Sequence, residues 1–276
     1  MALTTGPLVS IMTPVYNGSE YLDELIQSVL QQDYPHIEHL IIDDGSRDDG
    51  ATVAVLKKYS QLRWWSRENK GQYATMNEGL QAAKGEIICF VSADDVLVSG
   101  AVSAAVGFLS KHPHDDGVFG ITTRIDPTGE PLPFYIPFRT APMAFYPYFA
   151  HVSHCSLYVK TASLRKHELQ FDPTLKYVGD YDWMIRIYKS RLKIGLLKQE
   201  LSRVRLHPDQ ASRKFSGGSQ LEEQKVLKTQ RIDNFTYKFF HWVYWAFIRA
   251  RRNIQYIKEN GIVTITRRRI RKHISR

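Results

Sequence analysis

Apolar positions over the first hundred residues alternate between two textures, short unbroken runs and stretches where they recur every three or four residues. Residues 8–15 form an unbroken run that stops at Tyr16-Asn17-Gly18, after which Tyr21/Leu22, Leu25/Ile26 and Val29/Leu30 recur at helical spacing. Strands of a parallel sheet covered on both faces read as continuous apolar runs, so this pair predicts a buried strand followed by an amphipathic helix. Asn17 with Glu20 three residues on supplies a capping pattern for that helix. Residues 37–42 repeat the strand signal and end in Asp43-Asp44-Gly45-Ser46, with a helix over about 48–59. Residues 62–66 give a short third strand. Met76, Leu80 and Ala83 mark one face of the next helix, closed by Lys84-Gly85, and residues 86–91 give a fourth strand ending in Ser92-Ala93-Asp94-Asp95. The alternation predicts βαβ units and a Rossmann-like, mostly parallel central sheet.

The texture then changes. Between residues 126 and 148 six prolines, Pro127 to Pro147, break any long helix and predict a loop-rich second surface. Residues 157–159 resume a strand, 162–167 a short helix, and Gly179-Asp180-Tyr181-Asp182-Trp183 leads into a helix reaching Tyr188. Two further strands are predicted over 192–197 and 201–206, the second ending at His207-Pro208-Asp209-Gln210.

Ligands of open α/β sheets bind beyond the carboxyl ends of the strands. Here those ends read Thr13-Pro14-Val15-Tyr16-Asn17, Asp43-Asp44-Gly45-Ser46 and Ser92-Ala93-Asp94-Asp95. A single Asp after a strand is ordinarily a turn former or helix cap. Two carboxylate pairs at one edge repel each other, so as a set they point to a ligand or metal.

In this order and spacing the motifs closely resemble the nucleotide-sugar half of family 2 glycosyltransferases: Val9 to Asn17, Ile41-Ile42-Asp43-Asp44-Gly45-Ser46, Glu68-Asn69-Lys70-Gly71 and Phe90-Val91-Ser92-Ala93-Asp94-Asp95. Gly179-Asp180-Tyr181-Asp182-Trp183 and Arg205-Leu206-His207 resemble that family's acceptor-side elements, and the likeness covers roughly residues 7–215. It implies a GT-A fold that transfers sugar from a nucleotide diphosphate with inversion at the anomeric carbon. The expected layout is a transferase domain over 1–218, its nucleotide-binding half about 7–110 and its acceptor-side half about 111–218, followed by a helical basic and aromatic extension over 219–276.

The resemblance also implies roles. Asp44 matches the acid that reads the uracil imide, with Thr13, Pro14 and Tyr16 lining the same pocket. A UDP-sugar is the expected donor, and thymine's identical imide edge keeps a dTDP-sugar open. Asn69 and Lys70 sit where the family lays a loop along the nucleotide, and Lys70 either offsets diphosphate charge or is a solvated loop lysine. Hard oxygen ligands such as Asp94 and Asp95 suit Mg²⁺ or Mn²⁺, which stabilises the diphosphate leaving group. One of the pair ligates the metal and the other meets ribose or metal-bound water, with the assignment open between them. His207 reaches the metal or diphosphate, assisted by Arg213, or is structural. Asp180 matches the general base that deprotonates the acceptor hydroxyl, ahead of Asp182, whose position suits capping. Trp183 is either a substrate wall or core. The chain departs from the family where Ser92 replaces a frequent further Asp and Gly179 replaces a frequent Glu.

Composition narrows the remaining choices. The 276 residues are 43% apolar and 24% charged, ordinary values for a folded chain. The net charge of +9 lies in the tail: residues 219–276 hold 14 basic and 4 acidic side chains, against 23 and 24 in the rest. Nothing in the body therefore favours nucleic acid. Tail aromatics from Phe235 to Phe247, followed by basic clusters at 249–252 and 267–272, suit peripheral binding to an anionic membrane and a lipid-linked acceptor. They suit equally a helix packed on the catalytic domain or a second subunit; liposome flotation at low salt separates the two. The apolar stretch 235–248 is short of the roughly 20 residues that cross a bilayer. Cys89 and Cys155 read as structural thiols, and the start of the chain shows no secretory pattern, so a cytoplasmic setting is expected. Two rivals remain: a sugar-nucleotide nucleotidyltransferase, disfavoured because no Gly-rich basic loop follows the first strand, and a non-catalytic nucleotide-sugar-binding module.

Overall fold

The computed structural model describes residues 6–132, 153–210 and 215–232, together with eight isolated positions between 235 and 250. The chain divides into two compact units, residues 1–232 and 233–276. The described elements of the first unit are β1 (Val9–Val15), α1 (Leu22–Leu30), β2 (Ile37–Asp43), α2 (Ala51–Lys57), β3 (Arg63–Ser66), α3 (Gln72–Ala82), β4 (Ile87–Phe90), β5 (Val96–Leu97), α4 (Ala101–Lys111), β6 (Gly117–Ile125), β7 (Leu157–Lys160), α5 (Thr161–Lys166), α6 (Gly179–Lys189), β8 (Ile194–Arg205) and α7 (Ser216–Thr229). Among the described residues no helix is long and apolar enough to cross a membrane. The basic clusters at 251–276, the prolines from Pro133 to Pro147 and Arg213 lie outside the described residues.

One eight-stranded sheet runs β3-β2-β1-β4-β7-β6-β8-β5. Its first four strands are parallel, as the alternation predicts, with Thr13 opposite Ile41 and Met12 opposite Phe90. Every residue of β1 is buried, which is why its side chains read as one apolar run rather than alternating. α1 packs Leu22, Leu25, Ile26 and Val29 into that core, the spacing of one helical face.

Beyond β4 the sheet becomes mixed. β7 pairs antiparallel with β4 and β6, β8 runs parallel to β6, and the short β5 pairs antiparallel with β8. The two strands predicted over 192–197 and 201–206 are one strand, β8, with an irregular middle: three steps along β6 from Phe119 to Thr122 match six along β8 from Leu196 to Ser202. The capping pattern at Asn17 and Glu20 also differs. Asn17 adopts φ 51°, which Asn tolerates better than most residues, and its Oδ1 accepts the Arg47 N–H at 2.7 Å, tying the β1 end to the loop after β2. α1 starts only at Leu22.

A buried histidine gives this core a pH signature. His39 on β2 is 7% exposed, its Nε2 3.1 Å from Thr13 Oγ1 and its Nδ1 without a hydrogen-bond partner. Burial lowers its pKa to about 3. Below the ordinary histidine value of roughly 6.5 the unfolded chain therefore binds a proton that the folded chain refuses, and stability falls with falling pH by about 1.4 kcal/mol per unit. That stability is complete above the unfolded value. Urea midpoints at pH 7.5 and 5 are expected to show the parent losing about 2 kcal/mol more than His39→Gln; equal losses in both refute the assignment.

Candidate active site

The loops at the carboxyl edge of β1, β2 and β4 and the chain around α6 and the end of β8 enclose a cleft of about 920 Å³. Pro14, Tyr16, Asp44 and Asn69 line it from the parallel half, together with Asp94 and Asp95. His154, Asp180 and His207 line it from the mixed half. Sequence-predicted residues from both halves thus meet in one space. Thr13 and Lys70 do not line it: Thr13 is fully buried against His39, and Lys70 contributes a backbone N–H to the loop described next.

Asp44 organises that loop. Its Oδ1 accepts the Lys70 N–H at 2.8 Å and a short bond from Arg67 Nη1, and its Oδ2 accepts the Gly71 N–H at 2.9 Å. A carboxylate has about four acceptor sites, so three bonds leave one for a ligand donor. Gly45 is required beside it: φ is 72°, and a Cβ there would stand 2.9 Å from Arg67 O and Asn69 N. The neighbouring Asp43 is turned into the fold, accepting from Ser46 Oγ at 2.6 Å and Ser66 Oγ at 2.5 Å.

Asp94 and Asp95 occupy different environments. Asp95 is 3% exposed; its Oδ1 accepts the Arg205 N–H at 3.0 Å, and Cys155 Sγ lies 2.9 Å from Oδ2. Burial, with Cys155 and Asp94 adding to it, pushes its carboxyl well above the usual range. Both carboxylate oxygens of Asp95 are thus engaged inside the fold. Asp94 Oδ2 stands 3.0 Å from His207 Nε2, both side chains part-exposed. The Asp94 bond, opposed in part by burial, raises the His207 pKa.

Among the described residues no three His, Cys, Asp or Glu side chains group to hold a metal. The Asp94 and His207 donors nonetheless fit a divalent cation of the Mn²⁺ type. Carboxylate oxygen with imidazole nitrogen is an accepted donor set, and two protein ligands leave positions for phosphate oxygens and water.

Asp180 opens α6. Its Oδ1 accepts the Tyr181 N–H at 2.9 Å and lies 3.4 Å from Tyr73 Oη, and its Oδ2 lies 3.5 Å from His154 Nδ1. Burial pushes its pKa up, but the nearby His154 and the backbone N–H groups of Tyr181 and Asp180 together outweigh burial, and the net shift is downward. The side chain stays ionised and 36% exposed. Asp182 has a different task, joining Arg186 Nε at 2.7 Å and Gln230 Nε2 at 2.7 Å away from the cleft. Trp183 is core: fully buried, donating Nε1–H to Leu169 O at 2.8 Å and stacked on Phe171.

Sequence reasoning assigns no role to His154 or Arg205. Arg205 is 1% exposed, donating to Asp94 O, Asp126 O, Pro127 O and Glu24 Oε2, with its guanidinium 4.6 Å from the Tyr21 ring centre. It sits in the Arg205-Leu206-His207 motif, so a signal existed. His154 follows no periodicity and carried none.

A Rossmann-like parallel half feeding loops into a cleft, closed by a mixed half that brings its own carboxylate and imidazole, defines a GT-A type nucleotide-sugar transferase fold. The chain belongs to glycosyltransferase family 2, which it matches over residues 10–166. It is 32% identical over 239 residues to an uncharacterised glycosyltransferase of Rickettsia felis, covering 83% of this chain and 39% of that one. A second relative, an uncharacterised glycosyltransferase of Rickettsia typhi, is 30% identical over 231 residues, covering 81% and 71%. The chain spans about two fifths or less of the length of three of its Rickettsia relatives. Among solved structures, S. aureus TarS in complex with UDP aligns with a TM-score of 0.63 at 22% identity, over 83% of this chain and 66% of that one. The Pyrobaculum calidifontis mannosyltransferase PcManGT, in complex with GDP-Man and Mn²⁺, aligns with 0.59 at 18% identity, over 84% and 66%.

Proposed function

We propose that this chain transfers a sugar, with inversion, from a UDP-sugar to a hydroxyl of a glycan or lipid-linked acceptor. One observation carries the reading: a cation-competent pair, Asp94 and His207, and an ionised carboxylate, Asp180, line one cleft with the Asp44 loop. Asp44, its remaining acceptor site turned to the uracil imide, orients the base beside Tyr16. Asp180 takes the proton of the acceptor hydroxyl as that oxygen bonds to the anomeric carbon and the carbon–phosphate oxygen bond breaks, releasing UDP. Asp94 and His207 would hold a divalent cation, which when bound would supply neutralisation of the charge on the departing diphosphate. The UDP complex of TarS supports a uridine donor, and the Mn²⁺ complex of PcManGT supports a metal. The basic, aromatic tail supports an acceptor presented at an anionic lipid surface.

Calorimetric titration of UDP into the chain, with and without Mn²⁺, tests the donor site. Binding is expected to tighten at least tenfold with Mn²⁺ and to lose that gain in Asp94→Ala. UDP affinity indifferent to both metal and substitution overturns the metal assignment, and no UDP binding at all overturns the donor.

A further inference from the structure

We propose that His154 is the positioning residue of Asp180, holding the carboxylate ionised and oriented toward the cleft while the acceptor hydroxyl is deprotonated. The inference rests on the reading of Asp180 as the base and adds a partner from outside the motifs.

His154 lies in a single 3₁₀ turn, His154–Ser156, just before β7, and it is 6% exposed. A buried imidazole ordinarily has both nitrogens occupied by the core. Here Nε2 is 3.3 Å from Ser92 Oγ, whereas Nδ1 has no hydrogen-bond partner and stands at ion-pair distance, 3.5 Å, from Asp180 Oδ2. An unpartnered buried donor facing a catalytic carboxylate is the geometry of a contact that shortens when substrate closes the site. Among the described residues no other side-chain cation lies within ion-pair distance of Asp180. Position 179 cannot supply one, since a Cβ on Gly179 would stand 2.6 Å from the Tyr73 ring.

Position and charge act together. With Oδ1 taken by the Tyr181 N–H and Oδ2 faced by His154, the carboxylate is fixed at both oxygens and cannot rotate freely about its Cβ–Cγ bond. A general base acts only when aligned with the proton it takes. Among the described residues the carboxylates acting on His154 are Asp180 from α6 and, by charge, Asp95 and Asp94 from the loop after β4, while the Ser92 hydroxyl lies 3.3 Å from its Nε2. Tyr73 from α3 faces Asp180. Burial pulls the His154 pKa down and the three carboxylates more than restore it, so the ring is held above its ordinary value.

Two readouts test the inference on the whole chain. In ¹H–¹⁵N spectra His154 is expected to titrate above the ordinary imidazole range and to fall by a unit or more in Asp180→Asn. A His154 titration unmoved by that substitution overturns the proposal, whatever the enzyme's substrate. In the second arm, UDP release from UDP-GlcNAc with water as acceptor is followed against pH. His154→Ala is expected to lower kcat about tenfold to fiftyfold with KM within twofold, and to move the acid limb to higher pH as Asp180 loses the downward pull of His154 against burial. His154→Gln, which restores a donor without charge, is expected to recover part of kcat but not the acid limb, and it decides the question should His154→Ala fail to fold. Unchanged kcat and pH profile in both variants overturn the catalytic role. An Asp180→Asn chain that keeps full release refutes the base itself, and is told apart because the spectral coupling survives.

Discussion

Asp180→Asn is expected to leave UDP affinity and melting temperature close to those of the parent while slowing sugar transfer by a factor of 10² to 10⁴, the usual contribution of a positioned general base. The expectation follows from what the substitution preserves. Asn keeps an oxygen for the Tyr181 N–H and a polar atom near His154, and no bond from Asp180 reaches the Asp44 loop or the Asp94 and His207 pair. What it removes is the ionised carboxylate at the start of α6, which faces His154 in the cleft. Asp182, two residues on, cannot substitute, because Arg186 and Gln230 occupy both its oxygens. Transfer measured against UDP binding in the same preparation separates the cases: full transfer by the variant refutes the assignment, and lost binding shows a collapsed site.

Arg205→Ala is expected to carry the largest stability loss of any single substitution at the cleft, about 3 kcal/mol or more. The guanidinium satisfies three backbone carbonyls, of Asp94, Asp126 and Pro127, and pairs with Glu24. A buried acceptor left unpaired costs roughly 1–3 kcal/mol; of these three carbonyls, those of Asp94 and Asp126 belong to half-buried residues and that of Pro127 to an exposed one, so water relieves part of the cost and the lost packing of the buried guanidinium on Tyr21 adds to it. Glu24 is half exposed, so its lost partner adds little. For a unit of this size the loss corresponds to roughly 6–12 °C in melting temperature. Arg205→Met, which keeps much of the volume over Tyr21, is expected to recover less than half; a full recovery would place the stabilisation in packing instead of hydrogen bonding. A loss under about 1 kcal/mol for Arg205→Ala refutes the account.

The parallel half was legible because its signals are local. Strands β1, β2 and β4 are apolar runs that end in turn residues, and their carboxylates fall at the carboxyl edge by topology alone. The mixed half was less so. α4 buries Ala101, Val102, Ala105, Val106 and Leu109, yet Ala104, Gly107 and Phe108 among its other residues blur the contrast that marks an amphipathic helix. β6 alternates too little to stand out, being buried over six consecutive residues. In the site, Asp44, Asp94 and Asp180 announce themselves by motif. That Asp95 is engaged by Arg205 and Cys155 while the Asp94 carboxylate meets His207 is set by residues more than 50 positions away in sequence. His154 meets Asp180 only because β7 lies beside β4 in the sheet, a pairing that no local pattern encodes.

The uneven middle of β8 has a consequence for how this chain can drift. Its extra residues act as a measured spacer between the rung at Leu196 and the end of the strand, where the Arg205 amide meets Asp95 and, two residues later, His207 meets Asp94. Losing one residue there would slide everything downstream by about 3.3 Å and turn each side chain to the opposite face. Identities along this strand can therefore change more readily than their number, because eleven residues set the reach of one imidazole.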